Sequence, residues 1–165
     1  MKNTLDRINS KLLIEFILTC KKGIDIERAK DKSIDFIVKA NSKTYAIFTR
    51  YRNFPLQETK SRTLEKKEEE RIENICKGNI IPVIAYVFFD EDTTKIYVII
   101  MTLNKMRELV EMDNEFLNQV LHGMDIKLGI GKSFNRELFQ QLKKTVFATE
   151  IELKNWNKIF VESDE

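Results

Sequence analysis

The feature that most constrains the fold is an unbroken apolar run, IPVIAYVFF, at residues 81–89. A strand with one face in water alternates apolar and polar residues, whereas a continuous run is typical of a strand covered on both faces. After the turn sequence DEDTTK, a second run at 96–103 predicts a strand that pairs back on the first. We therefore expect these two strands at the centre of a sheet in an α/β fold.

Periodicity and turn residues predict the other elements. Apolar residues at helical spacing, among them Ile8, Leu12 and Phe16, predict a helix over residues 4–22 that ends before Gly23. Strands are predicted at 24–28, 33–39 and 44–51, the last two joined as a hairpin across ANSK, and a helix at 63–77. Helices are also predicted near 104–112, 114–122, 135–147 and 150–161, the last beginning at a capping box of Thr149 and Glu152.

Charge is distributed unevenly along the chain. The 165 residues are 42% hydrophobic and 33% charged, a balance typical of one soluble domain. The net charge is only +2, yet residues 1–67 hold 16 Lys and Arg against 8 Asp and Glu. This basic half is the expected partner surface, and within it residues 39–67, with 8 Lys and Arg against 2 Asp and Glu, are predicted to contact an anionic polymer. No apolar run is long enough for a membrane span, and the N-terminus lacks a secretory signal, so we expect a cytoplasmic protein with no membrane partner.

Polar side chains interrupt two segments that otherwise have the composition of core. In YAIFTRYR, at residues 45–52, alternate strand residues share a face, so Phe48 and Arg50 point the same way. In the first helix, Glu15 is the only polar residue between Leu12 and Leu18. Buried carboxylates are rare unless they are paired or coordinated, so Glu15 either reaches the helix rim or belongs to a polar site.

The order of elements resembles a known architecture. Helix, short strand, strand with Asp35 near its start, strand ending near Arg50, helix and two strands resemble the core of the PD-(D/E)XK nuclease superfamily over residues 4–103. The resemblance implies a restriction-endonuclease-like three-layer core (α-β-β-β-α-β-β) with a C-terminal helical extension. It also implies two regions: a nuclease-like core at 1–103, and a helical accessory region at 104–165 packed on the same domain.

The resemblance also implies a site. In that family an aspartate on the second strand and a Glu-x-Lys or Gln-x-Lys on the third converge on magnesium, often with a glutamate from the first helix. Position by position, Asp35 corresponds to the aspartate and Glu15 to the helix glutamate. Phe48 stands at the Glu or Gln position, and Arg50 stands at the lysine position. Phenylalanine cannot ligate a metal, and arginine cannot give up a proton as lysine can. We therefore expect a catalytically degenerate site that has no cofactor and that holds a phosphate backbone instead.

The expected partner is DNA or RNA, and the predicted contact residues are Arg50, Arg52, Lys43, Lys60 and Arg62. Three other interpretations stay open. An active nuclease would bind Mg²⁺ through Asp35 and Glu15, with Glu27 as a further candidate ligand, and would use Arg50 in place of the lysine. A protein-interaction or homodimerisation scaffold would use the apolar residues Leu153, Trp156, Ile159 and Phe160. In an unrelated α/β domain, Asp35 and Arg50 would only form a cross-strand ion pair.

Overall fold

The computed structural model describes residues 2–54, 66–90, 94–112 and 136–152. In chain order the elements are α1 (Lys2–Thr19), β1 (Asp25–Arg28), β2 (Phe36–Ala40), β3 (Lys43–Phe54), α2 (Lys66–Ile75), β4 (Ile80–Asp90), β5 (Lys95–Thr102), α3 (Leu103–Met112), α4 (Arg136–Leu142) and β6 (Phe147–Glu152). The predicted order from the first helix to the fifth strand is confirmed.

All six strands form one mixed sheet in the order β1-β2-β3-β4-β5-β6. Only β3 and β4 are parallel, and every other neighbouring pair is antiparallel. Parallel neighbours need a crossover connection, and α2 lies in the chain between these two strands. The protein is therefore an α/β fold, as predicted, and its sheet is mixed.

The central strand β4 contributes to two separate cores, which explains its continuous apolar sequence. Residues 83–88 are all buried. Val83, Ala85 and Val87 pack in the core that α1 covers, through Ile14 and Leu18. The alternate residues of β4, namely Ile84, Tyr86 and Phe88, pack in the opposite core with Ile72 of α2 and Phe139 of α4. Helices therefore cover both faces of the sheet, as the apolar run predicts.

The β2–β3 hairpin brings Asp35 beside β3. Its turn residues Asn41 and Ser42 have φ angles of 50° and 60°, as in the two-residue turns that match the twist of paired strands. The predicted hairpin across ANSK is thus confirmed. The register pairs Phe36 with Ile47, and one residue earlier the Asp35 N–H donates to the Ile47 carbonyl at 3.0 Å.

The C-terminal part of the chain corrects one prediction. Residues 147–152 form β6 on the edge of β5, so the helix predicted over 150–161 is wrong at its start and its capping box does not form. Lys95 Nζ lies 3.9 Å from Glu150 Oε2 and 3.3 Å from Glu152 Oε1. Both carboxylates reach the same ammonium because residues two apart on a strand share a face. The region after residue 103 therefore supplies a strand as well as helices. The predicted helix over 114–122 and the residues after 152 lie outside the described residues.

Helix α1 turns a different face to the sheet than its apolar spacing predicts. Over residues 8–19 of the helix, Ser10, Ile14 and Leu18 are buried, whereas Ile8 and Leu12 are each 49% exposed and Phe16 is 67% exposed. The helix has more apolar residues than one face requires, so periodicity alone does not identify the buried face. No helix within the described ranges has both the length and the apolar character needed to cross a bilayer.

Candidate functional site

A cleft of about 380 Å³ opens between α1 and the chain that leads from β1 into β2. Its charged lining residues are Lys11, Glu15, Arg28, Lys32 and Asp35. Its apolar lining residues are Ile8, Leu12, Ala29, Ile34 and Phe36. The cleft therefore brings together Glu15 of α1 and Asp35, which directly precedes β2. These are two of the residues that the nuclease resemblance implies for the site.

Local structure explains why these side chains meet. Lys11 and Glu15 are four residues apart on α1, so they lie one above the other on the same helix face. Asp35 directly precedes β2 and is held by backbone hydrogen bonds, donating to Ile47 and accepting from Ala29 at 3.4 Å. The helix and the hairpin thus present their polar groups to a common space.

Both oxygens of the Asp35 carboxylate have partners within the protein. The Lys11 ammonium contacts Oδ1, and the Thr49 N–H donates to Oδ2 at 2.7 Å. The Asp35 side chain is only 8% exposed. Through these contacts, Asp35 joins α1 to the β2–β3 hairpin.

The hydroxyl of Thr49 is buried, and it has no hydrogen-bond partner within the described part of the chain.

Glu15 is paired as well, but it lies closer to solvent. Arg28 Nη2 lies 3.0 Å from Glu15 Oε2, with side-chain exposures of 70% and 31%. Glu15 therefore reaches the helix rim, where it pairs with Arg28 within the charged lining of the cleft. Lys32 is exposed and adds a third cation to the cleft. Three cations against two carboxylates leave the cleft lining with a positive formal charge.

In the described structure, the carboxylates of the cleft are paired with cations and are not gathered into a metal-binding cluster. Magnesium needs free, hard oxygen ligands, yet both Asp35 oxygens are engaged and Glu15 is bound to Arg28. Phe48, at the position of the family's third ligand, is buried in the apolar core on the α2 side. Within residues 2–54, 66–90, 94–112 and 136–152, no group of three or more His, Cys, Asp and Glu side chains is placed to hold a metal.

Arg50 does not join this cleft, which corrects the predicted site. Along β3, Phe48 and Arg50 face α2, whereas Ile47 and Thr49 face α1. Arg50 Nη2 bonds to Glu68 of α2, and Nη1 donates to the Thr49 carbonyl at 2.9 Å. Asp35 and Arg50 are therefore on opposite sides of the sheet. Neither a shared pocket nor a direct Asp35–Arg50 ion pair forms.

The other predicted residues are separate from the cleft or undescribed. Lys43 is exposed beside the hairpin turn, and the strand rise puts it about 20 Å along β3 from Thr49. Glu27 is exposed on β1. The Arg52 side chain, Lys60 and Arg62 lie outside the described residues, as do Leu153, Trp156, Ile159 and Phe160.

Sequence reasoning missed the three cations of the cleft. Lys11 precedes Glu15 by four residues, and that spacing could have identified it as a neighbour on α1. Arg28 and Lys32 reach the cleft only because the chain between β1 and β2 packs beside α1. No local pattern marks them.

A second charged cluster joins α2 to α3. Arg107 donates to Glu69 at 3.1 Å and to Glu73 at 2.5 Å. The hydrogen bond and the charge of Arg107 hold the pKa of Glu73 below its usual value, and that hydrogen bond also raises the pKa of Arg107. Nearby, burial raises the pKa of the Cys76 thiol. The bonds of Arg107 thus join α3 to the acidic face of α2, and this cluster is separate from the cleft.

Comparisons with protein-family models, with curated proteins and with solved structures find no match to this chain.

Proposed function

We propose that the protein is a restriction-endonuclease-like domain of the PD-(D/E)XK type that binds nucleic acid without cleaving it. Support comes from the order of elements, from the mixed sheet with helices on both faces, and from the meeting of Asp35 and Glu15 in one cleft. Asp35 and Glu15 meet as the resemblance implies, whereas Phe48 and Arg50 face the other side of the sheet, and each carboxylate of the cleft is paired with a cation.

The observation that carries the proposal is the pairing of each carboxylate with a cation. Lys11 and Arg28 take the positions beside Asp35 and Glu15, and Lys32 adds a charge in excess of these pairs. A phosphate backbone can be held by positive charge and N–H donors alone. Arg28 and Lys32 are exposed, so their donors are accessible to phosphate oxygens. In this proposal the phosphate backbone contacts Arg28 and Lys32 on the α1 side of the sheet, and not Arg50, which was predicted to contact it.

Charge reversal tests the proposal. Fluorescence anisotropy with labelled oligonucleotides, between about 50 and 200 mM salt, gives the affinity and its salt slope. We expect Arg28→Glu and Lys32→Glu each to weaken binding and to reduce the slope by about one. The matched control is Lys39→Glu, an exposed lysine at the other end of β2, which should change binding little. Absence of binding at low salt, or equal effects of all three variants, would contradict the proposal.

Cleavage assays separate this proposal from the active-nuclease alternative. With Mg²⁺ or Mn²⁺ we expect intact substrate, because both carboxylates of the cleft are engaged by cations. Cleavage by the purified protein that disappears in Asp35→Ala would show instead that the site is catalytic.

A further inference from the structure

The exposed apolar residues of α1 form one stripe that runs into the cleft. Ile8, Leu12 and Phe16 are spaced four residues apart, so they lie on the same helix face. They are the large apolar side chains that stand exposed within the described ranges, and Phe16 is the most exposed of them. Ile8 and Leu12 also line the cleft. An exposed apolar patch with polar neighbours typically marks a binding surface.

The charges beside this stripe indicate its occupant. Lys11, Arg28 and Lys32 line the cleft together with its apolar residues and outnumber its two carboxylates, so a matching ligand combines negative charge with flat apolar surface. A nucleic-acid duplex offers phosphates but keeps its base faces stacked inside, and it would leave the stripe uncovered. A single strand offers phosphates and unstacked base faces together, and aromatic side chains beside a basic groove are how such strands are commonly bound.

We infer, as a refinement that rests on the proposed function, that the cleft binds single-stranded nucleic acid in preference to duplex. Phosphates contact Arg28 and Lys32, and bases pack on the stripe, with Phe16 as the stacking residue. Side chains at i and i+4 on a helix have Cβ atoms about 5–6 Å apart, so neighbouring bases can contact Leu12 and Phe16 in turn. The cleft volume of about 380 Å³ lies within the range of sites that enclose small ligands.

The experiment compares a labelled oligothymidine strand with a duplex of equal length by anisotropy. We expect the wild-type protein to bind the single strand more tightly than the duplex. Phe16→Ala should weaken single-strand binding roughly tenfold, because one stacking contact is lost, and should leave duplex binding unchanged. Phe16→Trp is the matched control: it retains a stacking surface and should keep the affinity. Since Phe16 is exposed, we expect both variants to fold.

The outcomes separate this inference from the function on which it rests. If duplex binds as tightly as single strand and Phe16→Ala has no effect, while Lys32→Glu still weakens binding, only the strand preference is wrong. If neither form binds, the proposed function fails as well. Light scattering tests whether a second copy of the chain occupies the stripe instead. A wild-type dimer that dissociates in Phe16→Ala would show that it does, and would overturn the inference.

Discussion

At the scale of single residues, Asp35 is the most informative side chain. Its carboxylate accepts from the Thr49 N–H and contacts the Lys11 ammonium, so it joins two strands and a helix. A nearly buried carboxylate is stable only when such partners compensate its lost hydration. Each oxygen of the Asp35 carboxylate therefore has one partner within the protein, and these contacts connect α1 to β3.

Substitution of Asp35 should be costly in proportion to the bonds lost. Asp35→Ala leaves the Thr49 N–H and the partly buried Lys11 ammonium without their partner, and we expect about 2–3 kcal/mol of destabilisation. Asp35→Asn can still accept from Thr49 and should cost less. Urea denaturation followed by circular dichroism measures both. Equal stability of wild type and Asp35→Ala would mean that these contacts contribute nothing.

The hydroxyl of Thr49 gives a residue-scale prediction of opposite sign. It is buried without a partner in the described part of the chain, so its burial carries a desolvation cost. Thr49→Val keeps the shape and the backbone N–H and should stabilise the protein by about 1 kcal/mol. The thermal midpoint measures the change, with Thr44→Val, a less buried strand threonine of β3, as control. A lower midpoint in Thr49→Val would show that the hydroxyl is satisfied.

At the scale of elements, α2 contacts the sheet through both apolar and charged groups. Ile72 is buried in the core on this side, Ile75 packs against that core, and Glu68 bonds to Arg50 of β3. Loss of one member of a partly buried pair leaves the other uncompensated. We expect Glu68→Gln to cost about 1–3 kcal/mol in urea denaturation, and Glu70→Gln, an exposed glutamate of the same helix, to cost far less. No difference between the two variants would contradict this role of Arg50.

The contact between α2 and α3 should weaken in acid. The pKa of Glu73 is lowered in the folded state by Arg107, so its contribution is present above the pKa of the unfolded chain and is lost as pH falls through the folded pKa. Glu73→Gln removes this proton-linked contribution. Thermal midpoints from neutral pH downward should therefore fall less steeply in Glu73→Gln than in the wild type. Parallel curves for both proteins would show that the pair contributes no pH dependence.

The elements also show what sequence can and cannot predict here. The apolar run of β4 and the hairpin turn at Asn41 and Ser42 are local signals, and both were predicted correctly. Strand β6 was missed because its stability comes from pairing with β5 and from the contacts of Lys95, which are distant in sequence. The side of the sheet that Asp35 takes was also not predictable, because it precedes the first residue of β2 and strand alternation does not extend to it.

At the scale of the whole molecule, the cleft lies in the basic part of the sequence. Residues 1–67 carry the positive excess, and α1, β1 and β2 all come from this part. A net positive charge around a concave surface attracts a polyanion and speeds its encounter. The sequence predicted this half of the chain as the partner surface, but it placed the anionic contact in residues 39–67. The cleft is lined instead by residues between 8 and 36, and this is the location that an experiment can test.

The most direct test is a ¹H–¹⁵N NMR titration of the full chain with a short single-stranded oligonucleotide at low salt. The account predicts that the largest shift changes fall in α1 and in residues 28–36, around the cleft, and that they diminish as salt is added. Shift changes concentrated at the β2–β3 turn near Lys43, or no changes at all, would contradict it.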